Sequence, residues 1–235
     1  MVNEGYFTLD TRLVDLDTGG AIDFNGLNFR YGSDTTIRHL ANMTSGVADY
    51  SRNPAFLSEL AQDLTAYWPS STLIDYSRDQ SVAPTAWEYS NTNTVLLGMI
   101  VEAMTGHSLA DELATHVFTP AGLSSATEYP SGVAISGPHA HGYDGETDGP
   151  WEDVTDVNPS ISAGSGGMLS SFDDLRRWAK ILATGELPDG DSLFGDDGFL
   201  QEQRLLLTPT GEGIGPFYDA YGLGIGSIDG WLGHT

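Results

Sequence analysis

Two side chains able to move protons or organise hydrogen bonds stand two residues apart in the stretch Trp87-Glu88-Tyr89-Ser90-Asn91-Thr92-Asn93-Thr94. The phenol of Tyr89 and the carboxamide of Asn91 lie where an apolar run from Val95 to Gly106 reads as a helix. Asn91 or Asn93 can cap its orphan N–H groups, Val95, Leu96, Met99, Ile100 and Met104 recur at helical spacing, and Gly106 supplies a left-handed stop. A buried helix holds its entrance firmly, and a firm entrance positions side chains well enough to do chemistry. Tyr89 and Asn91 are therefore a candidate site. The competing reading makes Tyr89 a half-buried packing residue and Asn91 only a cap.

Other chemistry-bearing patterns are weaker. Gly164-Ser165-Gly166-Gly167 invites comparison with a phosphate loop, but no Lys-Ser or Lys-Thr follows, so a tight turn packed on the core is expected. His139-Ala140-His141 could begin a zinc site, yet no third ligand stands at a sensible spacing. Asp189-Gly190-Asp191 with Asp196-Asp197 lacks the ligand pattern of a calcium loop and reads as solvated acidic loop. His39, His107 and His116 receive no chemistry. No metal or cofactor is expected.

With 235 residues, 40% of them hydrophobic, the chain is in the range of one domain with a proper core. The absence of cysteine excludes disulfides, thiolate metal sites and cysteine nucleophiles. No apolar run approaches a membrane span. Thirty-three acidic against nine basic residues give a net charge of −24, which makes nucleic acid an unsuitable partner because phosphate binding needs clustered Lys and Arg. Aspartate outnumbers glutamate and Lys180 is the only lysine, a balance that suits a surface adapted to high salt, where self-repulsion is screened.

Several elements must surround the candidate site. Asn3 to Arg30 reads mostly as loop. Thr35 or Thr36 caps a short helix through Asn42, and Asn53-Pro54 starts a second with Leu57, Leu60, Ala61 and Leu64 as its buried stripe. Ser108-x-x-Asp111 resembles a capping box opening a helix to about His116. From Ser124 to Pro159 a long surface excursion bearing short strands is expected. Ser171 caps a helix with Leu175, Trp178, Ala179, Ile181 and Leu182 on one side and Gly185 at its end. Phe199 to Leu207 reads as a short helix, and Tyr218 to Thr235 as strand with glycine breaks.

Tyr89-Ser90-Asn91 resembles the Tyr-x-Asn element of the serine β-lactamase and penicillin-binding-protein superfamily, in its class C-like branch. Ile37 to Gly46 followed by Asp49-Tyr50, Val117 to Leu123, Ser162-Ala163-Gly164 before Leu169-Ser170-Ser171, and Tyr221-Gly222-Leu223-Gly224 are also similar, in the family's order. Gly233-His234-Thr235 resembles the start of the His-Thr-Gly form of the third motif, typical of D-alanyl-D-alanine carboxypeptidases, D-aminopeptidases and esterases. Nearly the whole chain is covered. One departure is decisive: Arg177 stands three positions before Lys180, so no Ser-x-x-Lys exists in the chain. Glu4-Gly5-Tyr6-Phe7-Thr8-Leu9-Asp10 resembles the segment that ends the family's catalytic helix.

The resemblance implies an α/β (α+β) β-lactamase/transpeptidase-like fold, with residues 1–235 a partial domain that covers mainly the helical part and the start of the central strand. It lacks the Ser-x-x-Lys helix and the C-terminal strands, and as it stands is inactive. The intact parent would cleave a D-amino-acid peptide, a β-lactam-like amide or an ester through an acyl-enzyme, and the alternative is a catalytically inactive binding or scaffold protein. By resemblance Tyr89 and His234 are catalytic, and Asn91 and Thr235 bind substrate. Proton transfer by Tyr89 is easier if neighbouring cations lower its pKa from about 10. Partners are a small-molecule or peptide substrate and, through exposed sheet edges, other copies of the chain. The sequence assigns no compartment, although the family is usually extracytoplasmic. For the acidic surface the expectation is a melting temperature that climbs from low to molar salt; a flat or falling series in a thermal scan contradicts it.

Overall fold

The computed structural model describes residues 1–130, 132–145, 149–195, 198–210 and 218–234. In chain order it contains α1 (Ile37–Ala41), α2 (Pro54–Leu60), α3 (Ser70–Asp75), α4 (Asn91–Thr105) and α5 (Leu109–Leu113), continued by a π-turn at Ala114–Phe118. After the hairpin β1 (Tyr143–Asp144) and β2 (Glu152–Asp153) come α6 (Phe172–Thr184) and α7 (Phe199–Arg204). The chain closes with β3 (Thr208–Pro209), β4 (Ala220–Tyr221), β5 (Gly226–Ile228) and β6 (Trp231–Gly233), an antiparallel sheet in that order. Among the described residues no helix is long and apolar enough to cross a membrane.

The helix α4 is the centre of the core. Its Val95, Leu96 and Ile100 are buried in a cluster with Ile37 and Leu40 of α1 and Leu73 and Ile74 of α3. Each such side chain stabilises the fold by about 1.5–3 kcal/mol. Gly106 ends the helix at φ 76°, its N–H on the Glu102 carbonyl, as the sequence predicts. The helix start differs from expectation: Ser90 takes the cap position, and neither Asn91 nor Asn93 caps. Asn93 is wholly buried, where its Oδ1 accepts a hydrogen bond from Ser45 Oγ at 2.5 Å. A side chain so engaged is not free to reach back to the first amides.

Two expected stripes are corrected. In α2, Leu57 and the following Leu64 are exposed, and the buried residue is Phe56, which packs edge-on against Tyr50, Trp68 and Tyr76 at 5.1–5.5 Å. Two turns of helix need only one anchor, and the aromatic ring is the larger apolar body. In α6 only Ile181 of the predicted stripe is buried, while Leu175 is 50% exposed. This helix touches the rest through Ile181 and Trp178, which meet Ala121, Leu123, Leu187 and Leu193. A second tie is Asp174, which accepts from Ser124 N at 3.0 Å, Thr127 Oγ1 at 2.9 Å and the Ser124 hydroxyl. Those donors, the Ser124 hydroxyl first, hold its carboxyl at about 2.

The glycine run 164–167 is a tight turn on the core, as expected. A Cβ on Gly164 would stand 2.5 Å from the Thr94 carbonyl oxygen, and one on Gly98 would lie 3.4 Å from the Gly164 Cα, so the two backbones meet where neither residue carries a side chain. In the last hairpin Ile228 pairs with Trp231 across Asp229 and Gly230, at φ 48° and 82°, the two left-handed positions of a type I′ turn. The exposed Trp231 and Leu232 lie on β6, the edge of the sheet. Replacing Gly164 with Ala is expected to destabilise the fold by about 1–3 kcal/mol in urea titration, whereas the same change at the open Gly132 leaves the midpoint in place.

Candidate active site

Tyr89 lies half-buried on the extended approach to α4, and its position follows from the residues on both sides of it. Trp87, two residues earlier, is 1% exposed and packs in a cluster with Met43, Tyr218 and Tyr221. Two residues later Asn91 opens the helix. Thr92 then ties this entrance to the 43–50 turn, donating to the Ala48 carbonyl at 2.7 Å and accepting from Tyr50 N at 3.0 Å.

The last hairpin brings the other half of the site. Gly226 has no Cβ, and Tyr218 fills that space: a Cβ there would come within 2.0 Å of the Tyr218 ring. Tyr218 and Tyr221 then form a wall with ring centres 5.3 Å apart. Beyond β6, His234 stands against that wall, 6.0 Å from Tyr218, 6.1 Å from Tyr221 and 5.7 Å from Tyr89 between ring centres. The Tyr89 Oη and His234 Nε2 are 3.4 Å apart across 145 positions of sequence. A phenol and an imidazole therefore share one contact. Thr235 lies outside the described residues, as do Asp196 and Asp197 of the acidic loop.

Asn91 is oriented by acceptors. Its Nδ2 faces Ser51 Oγ at 3.1 Å and the two carboxylate oxygens of Asp49 at 3.4 and 3.3 Å. Turning the amide over would set its oxygen against a carboxylate, so the NH2 end is committed to this turn and the carbonyl end makes no hydrogen bond among the described residues. The Asp49 side chain is only 5% exposed and also takes Ser51 N at 3.0 Å. Asp49 and Ser51 had received no role in the sequence reading. The available signal was the Asp-x-Ser turn pattern, in which the carboxylate binds the amide two residues on.

The surroundings of Tyr89 do not lower its pKa. Its phenol is raised above the ordinary value, first by burial, then by Tyr218 and Asp49. Arg52, the cation beside this turn, is engaged by Glu88 at 3.1 Å and lies 3.8 Å from Asp49, so its charge is already countered. Burial pushes Tyr221 up as well, and Tyr50 to about 12. Trp87 Nε1, Ser90 Oγ and Tyr221 Oη are buried without a hydrogen-bond partner among the described residues, at about 1–3 kcal/mol each, so part of that cost falls around Tyr89. A cavity of about 280 Å³ opens beside the ring, with Asp49, Arg52, Val82 and Glu88 on its walls. The remaining histidines serve local structure: His39 closes the capping box of α1, His107 and His116 face Glu112, and His141 meets Asp153 at 2.9 Å.

The Beta-lactamase family profile matches residues 1–235. The chain belongs to that family. The D-aminopeptidase of Brucella canis is 28% identical over 151 residues, 62% of this chain and 28% of the relative. Penicillin-binding protein 4* of Bacillus subtilis is 35% identical over 99 residues, 40% of this chain and 21% of the relative. Among solved structures, a D-stereospecific amidohydrolase from Streptomyces superposes with a TM-score of 0.79 at 27% identity, over 95% of this chain and 64% of that one. The fold is thus the mixed α/β fold of the β-lactamases and transpeptidases, in a family of serine hydrolases. The chain spans less than a third of the curated relatives it matches.

A raised phenol stabilises the fold while it is protonated. For Tyr50, Tyr89 and Tyr221 that contribution is complete below the unfolded value of about 10 and is lost as pH climbs through the folded values. Melting temperature should therefore be level up to about pH 10 and fall steeply toward pH 12, in step with phenolate absorbance. Tyrosines that ionise near pH 10 with no loss of stability contradict the buried wall.

Proposed function

We propose that this site serves a serine hydrolase that acts through an acyl-enzyme on D-amino-acid amides or peptides, or on esters. The observation that carries this reading is the meeting of Tyr89 and His234 at 3.4 Å, with the oriented carboxamide of Asn91 two residues along the chain from Tyr89. No Ser-x-x-Lys occurs in the 235 residues, so the reading takes the attacking serine to lie outside them. In the reaction the serine oxygen bonds to the substrate carbonyl carbon, the C–N or C–O bond breaks, and the leaving group takes a proton. Water then releases the acid. A phenol held neutral is suited to the donating half of that exchange, and it becomes a base only when a cation beside it lowers its pKa.

His234 and Thr235 would line the substrate strand, with Asn91 hydrogen-bonding the substrate amide. Two relatives whose names specify D-configured substrates, and the His-Thr pair in place of Lys-Thr, favour amide or ester over β-lactam. The alternative is a catalytically inactive binding protein, favoured by the missing Ser-x-x-Lys. Self-association is proposed for β6, whose Trp231 is 81% exposed on a sheet edge.

The test is hydrolysis of D- and L-alanine p-nitroanilide by the product of the whole open reading frame that contains these residues. D-selective turnover that Tyr89→Phe lowers by about 10²–10⁴-fold supports the hydrolase. A frame with no Ser-x-x-Lys, whose product binds D-peptides and turns over neither substrate, favours the binding protein.

A further inference from the structure

A second cavity shares no lining residue with the one beside Tyr89. It has a volume of about 690 Å³ and runs along α6, where Arg176, Arg177 and Lys180 stand over a floor that includes Ile181 and Leu187. These cations are three of the nine basic residues and include the only lysine, within five consecutive positions.

Their situation differs from that of the other cations. Arg12, Arg38, Arg52 and Arg78 each have a carboxylate oxygen at 2.6–3.1 Å. Arg30 and Arg204 are spent on backbone carbonyls. Arg176 reaches only Asp173, at 3.5 Å with both side chains at least 85% exposed, a pairing of little worth. Arg177 and Lys180 have no carboxylate within ion-pair distance among the described residues, in a chain with 33 acidic residues. The Arg177 guanidinium donates to the Gly122 carbonyl, which fixes its position. Complementing the helix dipole does not explain the cluster, since no basic residue stands in the last turn of α6.

A cavity of this size is within the range of about 300–1,000 Å³ that small-molecule sites occupy. Against three cations it carries two carboxylates, Asp173 and Glu186, so it is a local positive exception on a molecule of net charge −24. The buried Ile181 and Leu187 make its floor apolar. We propose that this cavity is a second binding site, separate from the Tyr89 site, for a small amphipathic anion: a carboxylate or phosphate head on a short apolar body. The head lies between Lys180 and Arg176, and the body rests on Ile181 and Leu187.

Calorimetric titration with octanoate tests this, with inorganic phosphate as the bare head and octanol as the uncharged body. At about 50 mM salt, octanoate should bind, phosphate more weakly and octanol not measurably, with affinity falling as salt is raised. The double variant Lys180→Gln, Arg176→Gln changes only exposed side chains and should lose about tenfold or more in affinity at an unchanged melting temperature, whereas Lys180→Arg retains binding. The proposal is overturned if octanoate shows no binding up to about 10 mM, if octanol binds equally well, or if the double variant binds like the wild type.

Discussion

The fold depends most on the polar first turn of α4. Three consecutive residues at its entrance, Asn91, Thr92 and Asn93, point their side chains into the 43–52 segment and hold it by hydrogen bonds to Ser45, Ala48, Tyr50 and Ser51. Thr92 and Asn93 are wholly buried, and an unsatisfied buried polar group costs about 1–3 kcal/mol, so the register between helix and turn is specified far more sharply than apolar packing could do alone. Shifting the helix by one residue would orphan all three side chains at once. The apolar half of α4 then supplies the burial energy that makes this arrangement affordable, and Gly98 and Gly164 let the next turn approach it backbone to backbone.

From that fixed entrance the site is assembled by subtraction of side chains as much as by addition. Gly226 removes a Cβ so that Tyr218 can lie across β5, and Tyr218 with Tyr221 forms the surface against which His234 rests. The tight turn at Asp229 and Gly230 returns β6 in register, so that a residue near the chain end is delivered to the start of a helix in its middle. Neither half could hold this contact separately. Tyr89 is positioned by Trp87 and α4, and His234 by a sheet edge whose own Trp231 and Leu232 face solvent.

Much of this was legible in the sequence, and the failures have a common physical cause. Gly106 and Gly185 stop their helices and Thr36, Asn53, Ser108 and Ser171 cap theirs because those residue types carry local backbone preferences that tertiary contacts did not override. Motif order assigns Tyr89, Asn91 and His234 to one site; in the structure Tyr89 and His234 are in contact, and the Asn91 amide faces Asp49 and Ser51. The role of Asn93 was misread because capping is a local expectation, whereas its partner Ser45 lies 48 positions away. The stripes of α2 and α6 failed for a related reason: periodicity gives a face but not how much of it another element covers. The Asp229-Gly230 pair between Ile228 and Trp231 was a readable hairpin signal that glycine content alone obscured.

The charge distribution sets a condition on the chemistry of the site. Burial, Tyr218 and the Asp49 carboxylate all disfavour a phenolate at Tyr89, and Arg52 cannot relieve this because Glu88 and Asp49 already flank it. Asn91 adds no positive charge, and its donor end is committed to the same carboxylate. A general base at this position is therefore reached only when a cation approaches the phenol closely, since an opposite charge within about 4–6 Å is what stabilises an ionised group against burial. The His234 imidazole stands within that distance, its Nε2 3.4 Å from the Tyr89 hydroxyl. The contact at 3.4 Å joins the two groups, so that a change at either alters the surroundings of the other.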